Sequence, residues 1–417
     1  MDTVTRRKFL IASGVVGGAA LVAGAGAYTL HDVLATADHP SAGPGDRTLV
    51  LVTLYGGNDG LATVIPYADR AYHDARADLA YDAAEVLRLD DRTGLNPGLK
   101  GLKALYDRKQ LAIVRGVGYP RPDRSHFRSM DIWQTANPVR PAGTGWLGRW
   151  LDHAGRDPRS AISLEPVLPP VLAGATCAGA AVPLGGVSVP KAVTAADLRA
   201  LGAAADGEPE LQARAAACFA DLLSVDQLVT EALDADDDDD PDHGDDPATG
   251  TGGAQATLKA QFDLVAACVE AGVMTRVFSV SQGGFDFHAG EKTGQEIQLK
   301  TVDAAVSGFL DRMGRTERGR KVVVVVYSEF GRRVRANSSD GTDHGTASDV
   351  LIAGAPVAGG RLIGDQPSLT DLDDGDLKFH TDFRDVYAAV LTDVLGADPG
   401  PVLDGWRGRL DGLLLST

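Results

Sequence analysis

Along this chain, short runs that are apolar throughout alternate with longer stretches in which apolar residues return at helical spacing. Thr48–Tyr55 (TLVLVTLY) and the valine run Val322–Val326, continued by Tyr327, are the clearest of the first kind. Runs that are β-branched and apolar on every position predict strands buried on both faces, as in parallel sheets. Leu111–Val117, Thr275–Ser281 and Val350–Ala353 predict three more. Helical spacing is found over Leu99–Arg108, Ser125–Ala136, Gly145–Ala154, Gln255–Ala271, Gln295–Arg312 and Thr381–Leu395. Trp146, Leu147, Trp150 and Leu151 share one face of the third of these helices, and Ser125 is a natural N-cap for the second. Strands alternating with helices predict an α/β fold, a mostly parallel central sheet with helices on both faces. The Pro/Gly-rich residues 160–192 read as a small subdomain or cap, and the alanine-rich residues 195–233 as helical.

The polar residues at the ends of the strands are unusual. Gly56-Gly57-Asn58-Asp59-Gly60 follows the first strand, and Gly283-Gly284-Phe285-Asp286-Phe287-His288 follows Thr275–Ser281. Glu329 follows the valine run, with Gly341-Thr342-Asp343-His344-Gly345 a loop later, and Ser125-His126 opens the helix after Leu111–Val117. Ligands of open α/β sheets bind beyond the carboxyl ends of the strands. Carboxylates crowded there repel unless a cation or a proton is shared. Oxygen and nitrogen donors without thiolates suit Zn, Mn, Mg, Ca or Fe. Each element also has a plainer explanation. Asp59 suits turn geometry, Ser125 capping, Asp286 and His288 loop hydrogen bonds, and Glu329 an ion pair with Arg332 or Arg333.

The N-terminus carries an address. Thr5-Arg6-Arg7-Lys8-Phe9-Leu10, followed by a Gly/Ala-rich apolar stretch, predicts twin-arginine export over residues 1–37 and the translocase as a partner. The protein would then be periplasmic, extracellular or on the cell surface, touching membrane only through an uncleaved leader. Residues 38–46 form a linker and 47–417 a single α/β domain, with a helical insertion at about 195–253. Within that insertion, Asp234–Asp246 holds nine aspartates and opens a solvated acidic loop spanning 234–253.

Charge and cysteine content narrow the function further. A net charge of −17 over 417 residues argues against a nucleic-acid partner, which needs a basic footprint. Cys177, Cys218 and Cys268 are scattered outside any metal-ligand spacing and read as free thiols, or as one disulfide and a leftover thiol. No dinucleotide glycine fingerprint follows the first strand, which leaves little for an oxidoreductase.

Taken in order, the leader, the Tyr55–Gly60 turn, Ser125-His126-Phe127, Gly283–His288, Ser328-Glu329-Phe330-Gly331-Arg332 and Gly341–Gly345 resemble the twin-arginine-exported bacterial family called domain of unknown function 1501. That family in turn resembles the alkaline phosphatase and sulfatase superfamily. The resemblance implies an alkaline phosphatase-like fold, one or two divalent ions, and Ser125 as nucleophile. It implies Asp59, Asp286, His288, Glu329 and His344 as metal ligands, with Asp343 and His126 beside them. The superfamily's Asp-His pair is replaced here by Glu329-Phe330, and His126 would either supply the imidazole lost or block the site. The expectation is therefore an exported metal-dependent hydrolase of phosphate or sulfate esters, with Arg332 balancing the leaving oxyanion. Its substrate would be a small ester or a surface polymer. The alternative is a non-enzymatic surface-binding or scaffold protein with a degenerate site of the same kind.

Overall fold

The structure is a computed structural model that describes residues 47–140, 143–154, 157–165, 167–182 and 256–415. The leader, the linker, the expected helices of 195–233, the acidic loop and Cys218 lie outside the described residues.

The strands in chain order are β1 (Thr48–Leu54), β2 (Val64–Ile65), β3 (Leu87–Arg88), β4 (Gly94–Leu95), β5 (Leu111–Gly118), β6 (Ala161–Ser163), β7 (Ala180–Ala181), β8 (Val277–Gln282), β9 (Val322–Ser328), β10 (Ser348–Ala353), β11 (Arg361–Ile363) and β12 (Thr381–Asp382). Among them run α1 (Gly60–Thr63), α2 (Arg70–Arg76), α3 (Lys100–Asp107), α4 (His126–Thr135), α5 (Trp146–Ala154), α6 (Leu258–Ala271), α7 (Glu291–Met313) and α8 (Phe383–Ala389). The main sheet has the order β11-β5-β10-β9-β1-β8-β6-β7, with β12 also on β5. Strands β9, β1, β8, β6 and β7 are mutually parallel. A small antiparallel sheet, β2-β4-β3, stands apart.

The valine run shows why sequence and sheet agree. Val322, Val324 and Val326 enter one core with α3, α6 and α7, whereas Val323, Val325 and Tyr327 enter the other with α4, α5 and α8. Every residue of β9 is buried, so each face contributes apolar area worth roughly 25 cal/mol per Å². A central strand with helices on both sides buries apolar residues on both faces, which is why it reads as a near-continuous apolar run.

The structure corrects two expectations and adds the direction of one strand. Residues 160–182 form no separate cap within the described residues: β6 and β7 extend the main sheet beyond β8. Strand β10 is antiparallel to both β9 and β5. The segment 329–347 leaves β9 at its carboxyl end and stays there without a helical crossover, so the next strand can only run back. The closing helix starts as β12, continues as α8 and widens into a π-helical turn at Val390–Val394.

Register fixes where the site lies. Leu54 is level with Ser328 on one side and with Gln282 on the other. The chain therefore leaves β1, β8 and β9 at one height, and the loops bearing Gly56, Asp286 and Glu329 emerge side by side. Their closeness explains the two glycines. Gly56 (φ 113°) and Gly57 (φ 73°) hold conformations that L residues avoid. A Cβ on Gly56 would stand 2.6 Å from the Asp286 amide nitrogen, and one on Gly57 2.2 Å from the Phe330 ring.

Candidate metal centre

Three histidines and one aspartate converge beyond the carboxyl edge of the sheet. His126 is the first residue of α4, Asp286 and His288 follow β8, and His344 lies in the loop between β9 and β10. The Nε2 of His344 is 3.1 Å from His126 Nε2 and 3.0 Å from His288 Nε2. Asp286 Oδ1 is 3.0 Å from His288 Nε2 and 3.2 Å from His344 Nε2, and its Oδ2 is 3.5 Å from His126 Nε2.

Hydrogen bonds on the far side of two rings say what these nitrogens carry. His344 Nδ1 lies 2.8 Å from the Arg124 carbonyl oxygen, which can only accept, so Nδ1 holds the proton. His126 Nδ1 lies 2.8 Å from Glu329 Oε1 and likewise donates. In the neutral imidazoles, both Nε2 lone pairs then face each other beside a carboxylate. Such a group is stable only around a cation or an added proton. A tetrahedral ion with bonds of about 2.0–2.1 Å holds its donor atoms about 3.3 Å apart. With one ligand atom each, His126, Asp286 and His344 lie within 4.8 Å of one another, so these three suit a divalent ion in chemistry and in size, and His288 stands beside them, 3.0 Å from both His344 Nε2 and Asp286 Oδ1. Without an ion, burial lowers the His126 pKa, but hydrogen bonds with Asp286 and Glu329 outweigh it and raise the value to about 9. Burial would raise the Asp286 carboxyl, yet hydrogen bonds from His126, His344 and Arg332 hold it well below the usual carboxylate range.

Other candidates take different posts. Glu329 stands behind the cluster and is fully buried. Its Oε1 accepts from the Gly56 amide at 2.9 Å as well as from His126, and its Oε2 accepts from Ser328 Oγ at 2.8 Å. It orients a donor rather than serving as one, the usual place of a carboxylate behind a metal-binding imidazole. Arg332 does not face outward for a leaving group. Its Nε donates to Gly57 O at 2.7 Å, Nη1 to Thr342 O at 3.0 Å, and Nη2 to Phe285 O, to Gly56 O and, at 2.7 Å, to Asp286 Oδ1. One guanidinium thus ties the loops after β1 and β8 to the His344 loop. Asp343 is exposed at the rim, 3.5 Å from His288 Nδ1. Ser125 caps α4 by position alone: it is exposed, and its hydroxyl makes no capping bond.

Asp59 is the largest departure. It is buried at the start of α1, where it accepts from the Leu61 amide at 3.1 Å, and it forms a two-point ion pair with buried Arg76, with Nη2 3.0 Å from Oδ1. Burial and the nearby Asp59 charge push Glu291 up to about 9, and Thr342 Oγ1 donates to Glu291 Oε2 at 2.6 Å. Asp59 therefore has its cation within the protein and stands outside the histidine cluster. Nothing in the sequence singled out Arg76, one of several charged residues in RAYHDAR, or Glu291, which reads as an ordinary acid in a helix's first turn.

Phe330 walls the cluster, its ring centroid 4.8 Å from that of His126 and 5.0 Å from that of His344. Beside this wall lies a cleft of about 750 Å³ lined by Arg121, Arg124, Phe330, Asp376, Lys378 and Phe379, among others. Among the described residues, no helix is long and apolar enough to cross a membrane.

Fold and site together define an α/β protein with a histidine–aspartate centre at the carboxyl edge of its sheet. Residues 115–413 match the family described as "Protein of unknown function (DUF1501)", and the chain belongs to that family. A comparison with curated proteins finds no match. Among solved structures, the chain is similar to a protein in the alkaline phosphatase superfamily from Vibrio parahaemolyticus, at 11% identity and a TM-score of 0.40 over 89% of this chain and 71% of that one. It is similar to phosphonate monoester hydrolase from Silicibacter pomeroyi, at 12% identity and a TM-score of 0.36 over 87% of this chain and 76% of that one. The lipoteichoic acid synthase of Listeria monocytogenes matches at 9% identity and a TM-score of 0.37, over 91% of this chain and 81% of that one.

Proposed function

We propose that this protein is an exported hydrolase of phosphate or sulfate esters that works with a single divalent ion. The observation that carries the reading is the convergence of His126, Asp286 and His344, whose ligand atoms lie within 4.8 Å of one another at an open sheet edge, with His288 beside them. A divalent ion held there would supply Lewis acidity for an anionic ester. One ion rather than two is favoured because Asp59, the expected first-strand ligand, is already neutralised by Arg76.

The chain's own groups have distinct parts. Ser125, exposed and uncapped beside His126, offers the nucleophilic hydroxyl, with water as the alternative nucleophile. It stands at the N-terminus of α4, where the first-turn amides and the helix dipole favour developing negative charge. Glu329 holds the proton on His126 Nδ1, and the Arg124 carbonyl does the same for His344, so both Nε2 atoms face the centre as acceptors. Phe330 excludes water from one side. Export is supported by Arg6-Arg7 ahead of the apolar stretch.

The test is elemental analysis of the mature chain purified without chelators, paired with assays on 4-nitrophenyl phosphate and 4-nitrophenyl sulfate. About one equivalent of Zn, Mn, Fe, Mg or Ca is expected, with metal and turnover both lost in His344→Ala. A chain that neither holds nor takes up metal would sink the hydrolase in favour of a surface-binding protein.

A further inference from the structure

The four donors are held very unequally. His126 is 13% exposed, and its Nδ1 donates to the fully buried Glu329, itself fixed by the Gly56 amide and Ser328. His344 is 24% exposed, and its Nδ1 donates to a backbone carbonyl, that of Arg124. Asp286 is 32% exposed, and its Oδ1 is gripped by the buried Arg332 guanidinium. Each of the three leans on a partner that cannot move without disturbing the sheet edge. His288 is 47% exposed, and among the described residues its Nδ1 faces the carboxylate of Asp343, 3.5 Å away and itself 59% exposed. Gly283 and Gly290 stand near either end of its loop, and a Cβ built on either meets nothing within 4 Å. An imidazole whose outer nitrogen lacks a short, buried hydrogen bond gains little orientation or basicity from its surroundings.

We infer that His126, Asp286 and His344 are the permanent donors of this centre and that His288 is an exchangeable fourth, whose position is the one an anionic group takes when it binds. The inference rests on the metal-dependent reading above and specifies it. The anion arrives from the solvent side occupied by His288 and Asp343, not from the wall formed by Phe330. Four fixed protein donors are the mark of a closed structural site, whereas three with one replaceable position mark a site open to chemistry. His288 thus settles which kind this is, and it leaves the fold intact when it moves, because no buried group depends on it. Asp343, which faces His288, serves as its resting partner when the imidazole swings out.

The experiment uses the full mature chain, stripped of metal and titrated with Zn²⁺ against a chromogenic chelator. His288→Ala is expected to weaken zinc binding by about tenfold or less, whereas His126→Ala and His344→Ala weaken it by about a hundredfold or more. Calorimetric titration of the zinc-loaded proteins with inorganic phosphate is the second readout. Phosphate should bind His288→Ala at least as tightly as wild type, and up to about tenfold tighter, because no imidazole has to be displaced. A loss of zinc affinity in His288→Ala equal to that of the other two, or phosphate binding abolished by it, would overturn the inference. His288→Gln, measured alongside, guards against a folding defect peculiar to the alanine variant, and near-ultraviolet circular dichroism reports on the fold. The hydrolase reading fails separately: zinc and phosphate binding in the expected pattern, with no ester turned over, removes the enzyme and leaves the role of His288 standing.

Discussion

Beneath the Gly56–Gly60 turn, Asp59 and Glu291 bring two carboxyl groups together, and Arg76 lies on them; a few residues away, Asp286 stands among three imidazoles. Both groups gather ionisable side chains at the same end of the sheet, and both need positive charge. The first is supplied from within: Arg76 pairs with Asp59, burial holds the proton on Glu291, and the ensemble is closed to solvent. In the second, Arg332 donates to Asp286 Oδ1 and, without an ion, a proton held on His126 is the other positive charge, at an edge open to solvent. A buried ion pair that is complete is a structural unit, whereas imidazoles and a carboxylate that converge at an open edge are a candidate binding site. The contrast separates two acidic motifs that look alike in sequence, Asn58-Asp59 and Asp286-Phe287-His288.

The most severe way to break the contrast is to take the cation from the closed cluster. Arg76→Ala should leave Asp59 buried without a partner and cost about 3–5 kcal/mol, read as a lower midpoint in urea unfolding. The same scan with zinc present should show no rescue, since Asp59 lies outside the centre; recovery with zinc would show that the two clusters are one. A smaller effect is expected from Glu329→Gln, which keeps the shape but weakens the hold on His126 Nδ1. Zinc affinity should fall by about 10–100-fold, with the unfolding midpoint nearly unchanged. An unaltered affinity would make Glu329 a packing residue only.

The third prediction concerns pH in the metal-free protein. His126 is raised from its ordinary value to about 9, so its charged form is favoured by the fold. That stabilisation is complete below about pH 6.5 and is lost as pH rises through 9. Thermal melts of the stripped protein should therefore decline across this window, and the decline should flatten in His126→Gln. Zinc should remove the slope as well, because it takes the place of the proton.

The smallest effect falls away from both clusters. Burial pushes Glu165 up to about 7, against hydrogen bonds from Ser281 and Tyr55 that oppose the shift. A carboxyl raised in the fold loses stability as pH climbs from its unfolded value through 7, so Glu165→Gln should flatten the pH dependence of stability between about pH 4.5 and 7. Equal slopes for wild type and variant would place the proton elsewhere.

Much of this architecture could be read from the chain, and the failures have physical causes. The unbroken apolar run of β9 announced a strand covered on both sides, and the tryptophan face of α5 announced a helix packed on the sheet. The direction of β10 was hidden, because apolar pattern is the same for a strand run either way. β6 and β7, of three and two residues, were too short for a period-two pattern to register within Pro/Gly-rich sequence. In the site, the glycine-flanked Asp343-His344 and the Asp286–His288 spacing pointed to two of the loops that the structure brings together at the sheet edge. The post of Arg332 was not visible: an arginine after a strand end looks the same whether it faces a ligand or clamps carbonyls. Its acceptors on Gly56, Gly57, Phe285, Asp286 and Thr342 come together only once the loops after β1, β8 and β9 are placed together.

The sequence by itself determined the layers, the strands that form the centre of the sheet, and the set of loops from which chemistry would come. These follow from local periodicity and from burial, which each segment records on its own. Only the tertiary structure decided which carboxylate is closed off with a buried arginine and which, although held by Arg332, also meets imidazoles at an open edge. Arg76 and Asp59 are 17 residues apart and His126 and Glu329 are 203 apart. Such pairings depend on the register of β1, β8 and β9, and a register is a property of the assembled sheet rather than of any one strand.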